Sequence, residues 1–166
     1  MKTAPANPFP WASAAMATIA ALLAASFAAI ITGGSADPWY VALNKPAFTP
    51  PDIVFAIVWP YLFATLIVGT LLVLNRLRHP RQYSALMGLY YLMLAVGICW
   101  NLFFFGFHET GYAFGIIAAL WLSIFTLIVA FWRASPLAAL LQVPHLVWIT
   151  FAGALNGAVW AANRGL

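Results

Sequence analysis

Apolar residues in this chain do not recur on one face of a helix or strand but run on in five long, uninterrupted stretches. An α-helix rises about 1.5 Å per residue, so roughly 20 apolar residues cross the ~30 Å hydrocarbon core of a bilayer. Each stretch is long enough and contains no Asp, Glu, Lys or Arg. They cover Trp11–Ile31, Ile53–Leu74, Tyr83–Phe107, Tyr112–Trp132 and Leu137–Ala162. The pattern predicts an all-α membrane protein, a five-transmembrane-helix bundle.

Charged residues support this class. They make up 6% of the chain, against about a quarter of a soluble domain, and all of them lie outside the five stretches. Five spans place the N-terminus and loops 75–82 and 133–136 on one side of the bilayer. That side holds Lys2, Arg76, Arg78, Arg81 and Arg133, and the other holds Lys45 and Arg164. By the positive-inside rule the first side is cytoplasmic if the membrane is a plasma membrane. The basic excess therefore predicts orientation in a membrane, not a nucleic-acid surface.

The connections predict one membrane domain over residues 1–166. All are short except loop 32–52, so we expect consecutive helices to be antiparallel neighbours. That loop concentrates prolines and aromatic residues, including Trp39, Tyr40 and Phe48. Trp and Tyr favour the level of the lipid headgroups, so one interpretation is an interfacial belt. The other is a structured lid over a binding site.

Small residues predict where helices meet. Ala17, Ala21, Ala25 and Ala29 form a ridge on the first span, and glycines form similar ridges on the fourth and fifth. Such ridges let helix backbones approach closely in lipid. The single cysteine, Cys99, excludes an intrachain disulfide and is predicted to be a small core residue.

The polar residues exclude several function classes. Proton-coupled carriers and pumps need carboxylates inside the membrane, and the spans contain none. There is no Gly-rich phosphate loop with a lysine, and the three histidines lack the spacing of metal ligands. A conventional hydrolase, ATPase or metalloenzyme is not expected.

Aromatic residues give the main indication of a binding site. Phe, Trp and Tyr make up 16% of the chain, and several lie too deep for a belt. Helix direction places one set beneath the long loop, at depths of about 10 to 20 Å. The set is Trp59, Trp100, Asn101, Trp121, Trp148, Ala152 and Asn156. Flat side chains with a few amides suit a pocket for a planar apolar ligand. The alternative is that these residues fill a five-helix core.

His145 also leaves two interpretations open. It follows Pro144 inside the fifth span, where proline frees a backbone carbonyl and bends the helix. It is either a hydrogen-bonded core histidine or a ligand to a metalloporphyrin.

Segment 39–51, WYVALNKPAFTPP, resembles the first-loop signature of the TspO/MBR family, the translocator proteins or tryptophan-rich sensory proteins. Further matching positions follow in order. They are Val58, Trp59, Trp100, Phe104, Phe105, Gly106, segment 135–139, segment 144–148, Ala152, Leu155, Asn156 and Trp160.

The resemblance implies a five-helix bundle, commonly a homodimer, that binds porphyrins such as protoporphyrin IX in a cavity below the first loop. The residues matching that cavity are Trp39, Tyr40, Phe48, Trp59, Trp100, Phe104, Trp148, Ala152 and Leu155, with Asn101 as a further candidate. No cofactor is implied, and the porphyrin is the ligand. Some bacterial members degrade porphyrin in light, and the tryptophans they need match Trp59 and Trp148.

The chain departs from the family pattern at several positions. Phe48 stands where members often carry Trp, and Met93 and Gly97 stand where a Gln and an Asn are usual. Asn101, one turn from Gly97, is a candidate replacement amide. The Pro-Tyr pair of the fifth span is Pro-His here, at His145.

Three functions remain open from sequence. The leading one is binding of porphyrins or other tetrapyrroles in sensing, sequestration or transport. The second is Trp-dependent, light- and oxygen-driven porphyrin breakdown, and the third is a role as subunit of a larger membrane complex. The expected location is a bacterial plasma membrane, with the outer membrane as the alternative.

Overall fold

The computed structural model describes residues 9–33, 37–77 and 80–164, and within them the chain folds into helices joined by short connections. The helices are α1 (Trp11–Thr32), α2 (Pro38–Ala42), α3 (Asp52–Leu74), α4 (Pro80–Asn101), α5 (Thr110–Ala134), α6 (Pro136–Leu140) and α7 (Val143–Ala162). A π-helical segment, Leu102–Gly106, continues α4. Lys2 and Arg78, which entered the prediction of orientation, lie outside the described residues.

Five of these units are long and apolar enough to cross a bilayer, which confirms the predicted bundle. They are Trp11–Thr32, Asp52–Leu74, Arg81–Gly106, Thr110–Ala134 and Pro136–Ala162. Large apolar side chains point outward from them, including Leu23, Ile57, Leu122 and Val147, each more than half exposed. A surface of this kind is stable only against lipid tails, because water would penalise it. The protein is therefore an integral, multi-pass membrane protein.

The five spans pack as a ring. α1 contacts both α3 and α4, α4 contacts α5, α5 contacts α6 and α7, and α6 closes the ring on α3. One expectation from the loops was wrong: across the described residues α3 and α4 are not extensive neighbours, because α1 lies between them.

The alanine ridge of α1 explains how α1 fits into this position. Ala17 and Ala21 are buried, and without bulky side chains they let α4 approach closely. The Tyr90 hydroxyl of α4 donates a hydrogen bond of 2.8 Å to the Ala17 carbonyl of α1. This bond satisfies a hydroxyl that would otherwise be buried in an apolar contact.

Two glycines bring α5 and α7 together. A Cβ on Gly111 would lie 2.7 Å from the Trp160 indole nitrogen, and one on Gly157 would lie 2.9 Å from the Phe114 ring. Both positions lack room for a side chain. The predicted role of small residues at helix contacts holds at this interface.

The fifth span is not one continuous helix. α6 ends at Leu140 and α7 begins at Val143, with a turn at Leu141 and Gln142. Pro144 has no N–H to donate to the carbonyl of residue 140, so the helical hydrogen bonding cannot continue through it. The buried Gln142 side chain donates a hydrogen bond of 3.0 Å from Nε2 to the Thr65 carbonyl of α3. The break is thereby tied to the neighbouring helix.

Gly69 of α3 packs tightly against α6 and the turn that follows it, and we expect Gly69→Ala to destabilise the bundle. The new Cβ would lie 2.6 Å from Gln142 Nε2 and 3.2 Å from the Ala138 carbonyl oxygen. Overpacking of this kind costs about 1–3 kcal/mol. Thermal unfolding in detergent should show a lower midpoint than for the parent.

Gly88→Ala is the matched control, because a Cβ on Gly88 of α4 meets no heavy atom within 4 Å. Alanine favours a helix by up to about 1 kcal/mol over glycine, so this variant should melt at or above the parent. Equal midpoints for both variants would show that the α3–α6 contact tolerates a methyl group.

Cys99 corrects a smaller expectation. It is exposed on α4, facing outward from the bundle instead of filling the core. A small apolar side chain is as compatible with lipid as with a core.

Candidate ligand-binding cavity

A cavity of about 880 Å³ lies between the halves of the spans that are nearer the first long loop. Segment 37–51 of that loop, called the lid below, lies over it. It exists because the fifth span contacts α3 extensively only through α6. Between the break at Leu141 and Gln142 and the lid, α3 and α7 stand apart, and residues of both helices line the space between them. α1, α4 and the π-helical segment complete the wall.

Aromatic side chains form the α3–α7 side of the cavity. The Trp59 and Trp148 ring centres are 6.5 Å apart, with the ring planes at 89°. Phe55 meets Trp148 edge-on at 5.5 Å, and Phe63 lies 6.3 Å from Trp59. The Nε1 atom of Trp148 is buried without a hydrogen-bond partner among the described residues. This wall offers flat apolar faces, and the Trp148 N–H lies enclosed behind them.

The amides of the cavity are already engaged. Asn156 Oδ1 accepts a hydrogen bond of 3.0 Å from the Trp100 indole, and its Nδ2 donates one of 2.8 Å to the Thr110 carbonyl. Asn156 therefore joins α4, α5 and α7. Asn101 donates to the Gly97 carbonyl of its own helix at 3.0 Å. These hydrogen bonds hold the walls together and leave few free donors for a ligand.

Charge is confined to the mouth of the cavity. Lys45 and Asp52 line it, and the Lys45 ammonium donates to the Tyr40 and Val41 carbonyls at the end of α2. The same ammonium lies 4.5 Å from the centre of the Tyr40 ring. Burial, aided by the negative charge of Asp52, raises the pKa of the Tyr40 hydroxyl, so this group stays a neutral donor at the rim.

The lid is an ordered element. The Asp37 carboxylate caps α2 by accepting a hydrogen bond of 2.9 Å from the Trp39 backbone. The Asn163 side chain, just beyond α7, accepts from the Asn44 N–H at 2.9 Å and donates to the Asn44 carbonyl at 3.0 Å. The Tyr40 ring packs 5.7 Å from Phe105. These contacts favour the lid interpretation over a simple aromatic belt.

The π-helical segment turns Phe104 and Phe105 toward the cavity. The Phe107 N–H donates to the Leu102 carbonyl at 2.7 Å, a wider turn than an α-helix makes. Phe104 is buried there and stacks on Trp100, with ring centres 5.4 Å apart. Both residues line the cavity. A local widening of this kind is common where a helix serves a functional site.

The structure brings most of the sequence-predicted site residues together. Those that line the cavity are Tyr40, Trp59, Trp100, Asn101, Phe104, Trp148, Ala152 and Leu155. Contact of each with a ligand stays a prediction.

Three aromatic residues expected near the pocket lie elsewhere. Trp39 stacks on His108 at 4.1 Å and lines a separate cleft of about 420 Å³. Phe48 is 52% exposed, edge-on to Phe151 at 6.3 Å. Trp121 faces away from the cavity, where its indole donates to Thr150 Oγ1 at 2.8 Å. Trp39 and Phe48 were candidates from the family resemblance alone. Trp121 was placed by its depth along the helix, but depth does not determine which way a side chain points.

Sequence reasoning missed the contribution of α1. Ala25, Ala28, Ala29 and Thr32 line the cavity, whereas the ridge was interpreted only as a helix contact. The signal was present, because small side chains leave empty space wherever no neighbouring helix covers them. The part of the ridge with Ala17 and Ala21 packs on α4, and the part with Ala25 and Ala29 borders the cavity.

Fold and cavity together define a polytopic helical membrane protein with an internal, aromatic-walled chamber. The sequence model of the TspO/MBR family matches residues 13–161, so the chain belongs to the TspO/MBR family.

Relatives in all three domains of life resemble the chain over nearly its whole length. Protein CrtK of Rhodobacter capsulatus is 32% identical over 148 residues, which cover 89% of this chain and 90% of the relative. The translocator protein of Homo sapiens is 32% identical over 157 residues, 94% of this chain and 93% of the relative. The tryptophan-rich protein TspO of Archaeoglobus fulgidus is 32% identical over 149 residues, 89% and 95% respectively.

Proposed function

We propose that this protein binds porphyrins and related tetrapyrroles in the membrane, in sensing, sequestration or transport of these pigments. The cavity is the observation that supports this proposal. Its volume, about 880 Å³, lies in the upper part of the range of roughly 300–1,000 Å³ for small-molecule sites. A porphyrin is a large, flat and mostly apolar ligand, which suits a chamber of this size with aromatic walls.

The chemistry of the wall suits such a ligand. Trp59, Phe63 and Trp148 offer aromatic surfaces to a flat apolar ring. The Trp59 and Trp148 planes are perpendicular, so one indole can stack on the ring while the other meets it edge-on. A porphyrin also carries two propionates, which need water or a cation. The Lys45 ammonium at the mouth has three N–H donors and uses two of them on backbone carbonyls. The remaining donor is available to a carboxylate at the point where the ligand meets water.

A titration tests the proposal. The full chain in lipid nanodiscs should quench its tryptophan fluorescence when protoporphyrin IX is added, with saturation at one porphyrin per chain. Empty nanodiscs of the same lipid are the control, because porphyrins partition into bilayers. Uptake that does not saturate and equals uptake by empty nanodiscs would contradict the proposal.

A second candidate, light-driven porphyrin breakdown, is favoured by one observation. Trp59 and Trp148 both border the cavity, 6.5 Å apart, where an excited macrocycle would contact oxidisable indoles. We keep it as an activity of the same site, separable from binding by the two-tryptophan variant described in the Discussion.

The membrane and the assembly are also proposals. We propose a plasma-membrane location, and in such a membrane the basic excess at the Arg76 and Arg81 end places that end inside. The homodimer implied by the family resemblance stays a prediction.

A further inference from the structure

His145 stands in the cavity wall as a buried side chain with an unused nitrogen. It is only 5% exposed, and it lines the cavity from the first turn of α7. Its Nδ1 atom is fully enclosed, with no hydrogen-bond partner among the described residues, so Nε2 is the nitrogen that can meet a ligand in the cavity. This contradicts the interpretation of His145 as a satisfied core histidine.

We propose that His145 is an axial ligand to the metal of a bound tetrapyrrole, so that the cavity prefers an iron porphyrin to the metal-free pigment. This inference rests on the proposed function and narrows it to a ligand class. Histidine is the commonest protein ligand to porphyrin-bound iron. The imidazole is buried in a wall made mostly of apolar side chains.

The surroundings of His145 exclude a free metal ion as the ligand. The described residues contain no group of three or more His, Cys, Asp or Glu side chains that could hold an ion, and one imidazole is too few for zinc or a similar metal. Iron inside a porphyrin already has four nitrogen ligands. It therefore needs from the protein only the single donor that His145 supplies.

A metal-free porphyrin offers the imidazole nitrogen no comparable bond. Its pyrrole N–H groups point into the centre of the macrocycle, in the ring plane, where an approaching imidazole cannot align with them. The metal of an iron porphyrin instead has an open coordination position along the normal to the ring. Only the metal-bearing form satisfies a nitrogen that approaches the face of the macrocycle.

The orientation of Trp59 is compatible with this arrangement. Its ring centre lies 6.4 Å from that of His145, and the two planes are at 89°. An imidazole coordinates through a lone pair in its own plane, so it stands perpendicular to the macrocycle. A macrocycle bound by His145 can therefore lie parallel to the Trp59 indole.

The test compares iron(III) protoporphyrin IX with protoporphyrin IX on the full chain in nanodiscs. For His145→Phe, which keeps an apolar ring of similar size, we expect the Kd of the iron form to rise at least tenfold. The Kd of the metal-free form should change less than threefold. The absorption and electron paramagnetic resonance spectra of imidazole-bound iron should be present in the parent and lost in this variant.

His108→Phe is the matched control, since His108 is exposed and packs on Trp39 outside the cavity; its iron spectra should equal those of the parent. In His145→Ala, added imidazole should restore the parent spectrum. Iron spectra unchanged by His145→Phe, or an equal loss for both pigments, would overturn the role of His145 while leaving porphyrin binding intact. A parent that binds neither pigment would overturn both proposals.

Discussion

Replacing Ala152 with phenylalanine is expected to raise the Kd for protoporphyrin IX roughly 70-fold. Ala152 is buried in α7 and lines the cavity beside Trp148. A phenyl ring there would occupy wall that the ligand covers. If it displaces half of the ~200 Å² that a buried aromatic ring covers, the loss at 25 cal/mol per Å² is about 2.5 kcal/mol. That free energy corresponds to the expected change in Kd.

Ala154→Phe is the control for this prediction. Ala154 lies two residues further along α7 and is exposed on the outer surface of the bundle. The same ring added there meets lipid, so the Kd should stay within about twofold of the parent. Thermal unfolding of both variants separates cavity filling from misfolding, because filling an existing cavity should leave the midpoint near that of the parent. A parental Kd for Ala152→Phe would place the ligand elsewhere.

The membrane fold was predictable because the bilayer imposes a simple constraint on sequence. Uncharged stretches of sufficient length have few alternatives to a spanning helix, and all five were found. The order of the helices around the ring was not predictable. It depends on which faces carry small residues, and the ridge of Ala17 and Ala21 accepts α4 as readily as any other neighbour.

The candidate cavity was only partly predictable. Depth along a helix and the spacing of Trp148, Ala152 and Asn156 by four residues correctly placed these residues on one wall. Trp121 shows the limit of that reasoning, since it lies at a similar depth but faces outward to Thr150. Its direction depends on how α5 is rotated against α7, and tight contacts such as Gly111 with Trp160 set that rotation.

The break in the fifth span had a visible cause and an unforeseen consequence. Pro144 predicted a bend, but the sequence did not show that the part before it would pack on α3 and the part after it would diverge. Gln142 fixes that geometry through its hydrogen bond to Thr65, a contact between residues far apart in the chain. Contacts of this kind cannot be predicted from local patterns in the sequence.

The largest effect on photochemistry is expected from the double change Trp59→Phe and Trp148→Phe. Phenylalanine keeps an aromatic ring, so we expect binding to weaken by only about 1 kcal/mol, roughly fivefold in Kd. It removes the two indoles on the α3–α7 side of the cavity and leaves Trp100, whose indole is hydrogen-bonded to Asn156. At saturating protoporphyrin IX, in air, the rate of pigment loss under constant light should fall at least tenfold, to the rate in empty nanodiscs.

Trp132→Phe controls for the loss of a tryptophan outside the cavity, because Trp132 is 55% exposed on α5. This variant should bleach bound pigment at the parental rate. A parent that binds porphyrin but bleaches it no faster than lipid alone would leave a binding protein without the second activity. Bleaching by the double variant at the parental rate would show that the two tryptophans do no more than fill the wall. The contrast between these variants is decisive because all retain an aromatic side chain at the changed positions, and only the proximity of the lost indoles to the ligand differs.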